Sequence, residues 1–299
     1  MKVLVTGVKG QLGHDVVNEL RKRNHEAIGV DIEEMDITDS ASVENGIKSA
    51  KPDAVIHCAA WTAVDNAEDE ENIERVHLVN GMGTKNIATV CKELDIKMMY
   101  ISTDYVFDGQ GTAPWKPDCK EYNPLSVYGE TKLEGERYVS ELLERYFIVR
   151  IAWVFGQNGN NFIKTMLNIG KKYDSLKVVC DQIGTPTYTY DLARLLVDMI
   201  ETEKYGYYHA TNEGDYISWY DFAKEIFHQA TELGHTDYSE DKLTIFPVTT
   251  EEYGISKATR PFNSRLDRSK LIENGFTPLP TWKDALNRYL KEILYSKTY

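Results

Sequence analysis

The chain has 299 residues, 42% hydrophobic and 27% charged, enough for one large or two modest globular domains with a substantial core. A formal net charge of -13 argues against a surface built for nucleic-acid phosphates or anionic lipid, so a phosphate-bearing ligand needs a local basic site or helix N-termini. No leader-like amino end and no apolar run of membrane-spanning length is present, and Cys58, Cys91, Cys119 and Cys180 are widely spaced, which predicts a cytoplasmic chain with reduced thiols and no zinc site.

The first apolar run, "KVLVT" (2–6), has the length of a buried strand and leads into "GVKGQLGHDV". Gly7, Gly10 and Gly13 stand between that strand and the amphipathic "QLGHDVVNELRKR", with Gln11 and Leu12 at the helix start. In this context glycines allow a tight turn and let backbone N–H groups approach a pyrophosphate. The second strand, "EAIGV" (26–30), ends at Asp31, whose carboxylate accepts hydrogen bonds from an adenosine ribose and repels a 2′-phosphate. That leans toward NADH over NADPH, although Lys9 in the loop offsets the repulsion. Asp36 and Ile37, in "MDITD", are candidate adenine-edge contacts.

The third strand, "AVIHC" (54–58), is followed by Ala59, Ala60 and Trp61, small side chains and backbone suited to a cofactor channel. The acidic "EDEEN" (68–72) reads as a solvated helix start, and 73–94 as one long amphipathic helix containing Asn80. A fourth strand, "KMMYIS" (97–102), delivers Ser102 and Thr103 to its carboxyl end, where ligands of open parallel sheets bind. "SVYGETKLEGERYVSELLER" (126–145) reads as a helix on which Tyr128 and Lys132, four residues apart, lie on one face.

"FIVRI" (147–151) completes five strands alternating with helices, which predicts a doubly wound parallel sheet, an α/β Rossmann-like fold. Beyond 155 the rhythm loosens into helix candidates at 190–201, 218–233 and 281–294 and an extended 205–212. The expected division is a dinucleotide-binding domain over 1–155, with a returning segment near 185–205, and a smaller α/β substrate-binding region over 156–299. The seven histidines show no pairing with metal-ligand or triad spacing, so no metal site is expected from them.

The glycine loop, "HCAAWTAVDNAE", "STDYVFDG" and the YxxxK helix occur in the order found in the extended short-chain dehydrogenase/reductase family, which the chain resembles over nearly its whole length. "YGETKLEGE", "RIAWVFG", "DQIGTPT" and "RPFNSRLD" narrow the resemblance to the dTDP-4-dehydrorhamnose reductases within it. The resemblance implies NAD(P)H-dependent reduction of the C4 ketone of dTDP-4-dehydro-L-rhamnose to dTDP-L-rhamnose, a precursor of surface polysaccharide. Tyr128 would be the general acid, and Lys132 would orient the nicotinamide ribose and favour the phenolate. Thr103, in preference to Ser102, would be the third catalytic member.

The same resemblance assigns Asn80 a water bridge to Lys132, with core capping as the alternative, and places Trp153 either in the sugar pocket or in packing. Asp104, Tyr105 and Val106 would frame that pocket, Gln182 and Thr185 would meet the nucleotide, and Arg260 the diphosphate. Two other functions stay open. One is another nucleotide-sugar enzyme, an epimerase or a dehydratase, although Asp104 is followed by Tyr105 where dehydratases carry an Asp-Glu pair. The other is a regulatory subunit like that of methionine adenosyltransferase. Some relatives hold Mg²⁺ with glutamates at a dimer contact; position 15 is Asp here, so Mg²⁺ and the choice of monomer or homodimer stay open.

Overall fold

The computed structural model describes residues 1–295. Its centre is a six-stranded, wholly parallel sheet of β1 (Lys2–Thr6), β2 (Glu26–Val30), β3 (Ala54–His57), β4 (Lys97–Thr103), β5 (Tyr146–Ile151) and a sixth strand, Gly206–His209. The spatial order is sixth strand, β5, β4, β3, β1, β2. Every residue of β3 and β4 is buried, as expected of parallel strands covered on both faces, which is why they read as continuous apolar runs.

One face packs on α1 (Gln11–Lys22) and the later helix Thr189–Ile200, burying Val16, Val17, Leu20, Leu192, Leu196 and Met199. The other packs on α2 (Ser40–Ala50), α5 (Gly83–Glu93) and α6 (Val127–Leu142). The segment 189–209 therefore returns to the sheet as a helix and an edge strand paired with β5. A second core, around Phe155, Phe222, Trp282 and Tyr289, lies beneath the C-terminal helices Trp219–Glu232 and Trp282–Tyr295.

The region read as one helix over 73–94 is three pieces. Between α3 (Val64–Ala67) and α5, α4 (Glu70–Val76) passes into a π-helical turn, His77–Met82, before α5 begins. Gly81 packs against the Glu134 carboxylate of α6, where a Cβ would collide. The π-turn buries Asn80, whose amide then reaches the loop after β3. Amphipathic spacing does not reveal such a turn, because apolar residues continue at helical intervals through it.

Candidate active site

The loops at the carboxyl ends of β1 to β5 surround a cleft of about 730 Å³. Gly7 turns the chain with φ +70°, and a Cβ there would stand 2.7 Å from the Ala59 backbone. A Cβ on Gly13 would collide with the Gly7 carbonyl. α1 starts from Gly10 with no side-chain cap and no acid in its first turn, leaving its N–H groups directed at the cleft. Gly10, Gln11 and Leu12 line it, and Asp31, at the end of β2, accepts from the N–H groups of Lys9 (3.0 Å) and Ile32 (2.9 Å). Asp36, Ile37, Ala59, Ala60 and Trp61 complete this half. A close-packed glycine turn, an uncapped helix and a carboxylate at the second strand end fit a dinucleotide.

The other half holds Thr103, Asp104, Tyr105, Tyr128, Lys132 and Trp153. α6 is capped by Ser126, whose hydroxyl accepts from Gly129 N–H (3.2 Å), and Val127 N–H donates to Glu68 (2.8 Å). Gly129 lies so close to the Tyr105 carbonyl that no Cβ fits, which brings the Tyr128 ring edge-on to Tyr105 at 5.5 Å. The two hydroxyls at the end of β4 are separated by their partners. Ser102 donates to Glu136 (2.6 Å), whereas Thr103 is hydrogen-bonded to the Tyr128 side chain and donates to Asp104 (3.0 Å).

Burial pushes the Tyr128 phenol up to about 12, against the opposing Thr103 hydrogen bond, so the group holds its proton at neutral pH. Burial also lowers Lys132 to about 7, opposed by the Glu136 carboxylate. Its ammonium donates to the Ile101 carbonyl (2.7 Å) and lies 4.2 Å from the centre of the Tyr100 ring. A direct stabilisation of a Tyr128 phenolate by Lys132 is thus not the arrangement seen: the cation is turned toward the end of β4. Asp104, buried beside Thr103, is raised to about 6 by desolvation.

Several expected contacts fall outside the cleft. Asn80 spends its amide on Trp61, accepting from its N–H (2.8 Å) and donating to its carbonyl (3.2 Å), and on the Thr131 hydroxyl (3.1 Å). Here it fixes Trp61. Gln182 is buried and donates to Thr250, Thr185 is buried away from the cleft, and Val106 packs in a core with Phe107 and Leu266. Arg260 grips Asp65 through both terminal nitrogens (2.8 and 3.3 Å). Trp219 was missed: it lines the cleft and stacks on Trp153, yet sits in a stretch legible only as an amphipathic helix.

Asp15 accepts from the Thr189 hydroxyl (2.5 Å), and among the described residues no three His, Cys, Asp or Glu side chains stand together as a metal site. No helix among the described residues is long and apolar enough to cross a membrane.

The chain is 40% identical to the dTDP-4-dehydrorhamnose reductase of Aggregatibacter actinomycetemcomitans, across 95% of this chain and 97% of that protein. It is 36% identical to the dTDP-4-keto-6-deoxy-D-glucose reductase of Streptomyces niveus, across 95% of each. Its structure matches the dTDP-4-dehydrorhamnose reductase of Bacillus anthracis str. Ames, solved in complex with NADP, with a TM-score of 0.89 and 38% identity over 98% of this chain and 100% of that one. The model of the RmlD substrate binding domain matches residues 1–295, and the chain belongs to that family, within the extended short-chain dehydrogenases/reductases.

Proposed function

We propose that the protein is an NAD(P)H-dependent reductase of the C4 ketone of a dTDP-4-dehydro-6-deoxy sugar, with dTDP-4-dehydro-L-rhamnose as substrate and dTDP-L-rhamnose as product. The carrying observation is that Thr103, Tyr128 and Lys132 share one cleft with the Gly7–Gly13 turn. Reduced nicotinamide, when bound, supplies a hydride to the carbonyl carbon. Tyr128, protonated at neutral pH, gives its proton to the carbonyl oxygen, and Thr103 donates a hydrogen bond to the same oxygen after releasing Asp104. Lys132, whose ammonium now donates to the Ile101 carbonyl, would hold the nicotinamide ribose hydroxyls.

On this reading residues 1–155, with the returning segment near 185–205, carry the cofactor, and the region from 156 onward supplies the sugar wall through Trp153's partner Trp219. The carboxylates Asp31, Glu33 and Glu34 around Lys9 favour NADH. Four unpaired cysteines suit a reducing cytoplasm, and the working unit is a monomer or homodimer.

The test is oxidation of NADH and of NADPH, followed by absorbance, with enzymatically generated dTDP-4-dehydro-L-rhamnose and its D-glucose-series precursor as competing substrates. Turnover that drops by at least about 10²-fold in Tyr128→Phe, with cofactor affinity retained, supports the reading. Equal turnover in the variant removes Tyr128 from the chemistry. Cofactor binding without oxidation of either sugar leaves a binding role, such as a regulatory subunit, as the surviving function.

A further inference from the structure

One buried charge pair lies directly behind the cleft. Glu136 follows Tyr128 and Lys132 by eight and four residues, on the same face of α6. Its carboxylate accepts from the Ser102 hydroxyl on β4 (2.6 Å) and, bidentate, from Arg150 on β5 (2.8 and 2.7 Å). Both members are buried, Glu136 at 1% and Arg150 at 0% side-chain exposure. Arg150 spends its remaining donors on the Pro117 carbonyl (3.1 Å) and the Tyr122 hydroxyl (2.9 Å), and its guanidinium lies 3.3 Å from the His209 ring nitrogen on the sixth strand. A buried pair of this kind adds little net stability over apolar packing, so its presence behind a catalytic lysine calls for another reason.

We propose that Glu136 is a positioning residue for the reduction, fixing α6 against β4 and β5 and supplying the counter-charge that keeps Lys132 a cation. The proposal rests on the reductase reading above. The groups facing Lys132 come from three elements. Tyr100 on β4 lies under the ammonium, and Tyr128 and Glu136 flank it on α6. His57 and Cys58, at the end of β3, are both neutral at pH 7, the imidazole driven down to about 3 and the thiol up to about 12 by burial. Among the described residues Glu136 is thus the one carboxylate acting on this lysine, and Arg150 holds it in place from behind through a bidentate pair. The same carboxylate also engages the Ser102 hydroxyl, leaving Thr103 as the hydroxyl presented to Tyr128.

The experiment is the pH dependence of NADH affinity, read by fluorescence, and of turnover, in the wild-type chain, Glu136→Gln and the double variant Glu136→Leu/Arg150→Met. Removing the carboxylate disfavours protonated Lys132, so the alkaline limb of both profiles moves to lower pH, by about one unit in Glu136→Gln and by less in the double variant, which also removes the Arg150 cation. The double variant leaves no unpaired buried guanidinium, so it reports even where Glu136→Gln fails to fold. A double variant that folds and titrates at the wild-type pH overturns the proposal. Absence of wild-type turnover with a clear NADH binding limb defeats the reductase reading alone, while the shift of that binding limb still decides the role of Glu136.

Discussion

Trp153 and Trp219 stack with ring centroids 3.7 Å apart and planes inclined by 15°, joining the end of β5 to the first turn of the helix that covers the second core. Trp153 holds φ at +51°, a left-handed conformation rare for so large a side chain. Its carbonyl accepts from Thr187 N–H (3.1 Å), and Gly184 lies against its indole, where a Cβ would come within 3.0 Å. The strained backbone and the stack together aim one indole at the cleft. Trp219→Ala removes the stack without touching the glycine turn. The sugar KM should rise about three- to tenfold, the scale of an aromatic pair, while the NADH Kd is unchanged. Equal weakening of both ligands would assign the pair to general packing.

Asp104 gives a pH-dependent prediction. Burial raises its carboxyl from the ordinary 3.8 to about 6, so between those values the folded chain binds more protons than the unfolded one. Stability associated with this group is therefore full below pH 3.8 and is lost as pH rises through about 6. A neutral isostere escapes the loss. Asp104→Asn should be more stable than wild type at pH 7 by about 1–3 kcal/mol and no more stable at pH 4. Urea unfolding at the two pH values measures the difference. A gain independent of pH would mean that ionisation of Asp104 carries no cost.

Four of the five apolar runs of the first half were legible because parallel strands buried on both faces are mostly apolar, the edge strand β2 by its short apolar run before Asp31, and β1 to β5 begin and end within a residue of those runs. The glycine turn, Tyr128 and Lys132 were legible because strand, turn and helix fix their spacing locally. Trp219, Glu136 and Asp65 were not, since their partners Trp153, Arg150 and Arg260 stand 66, 14 and 195 residues away and nothing in local pattern links them. Arg260 shows the limit most plainly. A guanidinium can be assigned an anion from sequence, but here a carboxylate of the same chain takes that place.

That carboxylate ties a distant segment to α3 beside the cleft. Asp65 of α3 accepts from the N–H groups of Lys257 and Ala258 (3.1 Å each) as well as from Arg260, and Lys257 pairs with Asp69 (2.6 Å). Val64, next to Asp65, lines the cleft, so the clasp ties residues 257–260 to the helix that reaches the cleft. The pair is partly exposed, and its removal should change Tm by less than about 2 °C. Asp65→Asn should instead speed proteolysis within 253–257, where Ile255 is 76% exposed, and raise the sugar KM. Unaltered cleavage would show that the segment is held without Asp65.

Cofactor choice turns on three side chains at the end of β2. Lys9, near Asp31, is engaged by Glu33 at 2.5 Å, and Glu33 and Glu34 add to the negative field of Asp31. A 2′-phosphate would meet carboxylates first, whereas ribose hydroxyls can donate to them. Neutralising Glu33 releases the lysine without altering the Asp31 contacts. In Glu33→Gln the ratio of kcat/KM for NADPH to that for NADH should rise about three- to tenfold at low ionic strength, and the gain should shrink as salt is added, because both groups are exposed. Asp31→Asn in the same background should raise it again, mainly through weaker NADH binding. A preference unmoved by either change would place the discrimination elsewhere in the adenosine pocket, with Thr38 and Arg75 the polar cleft residues to examine next.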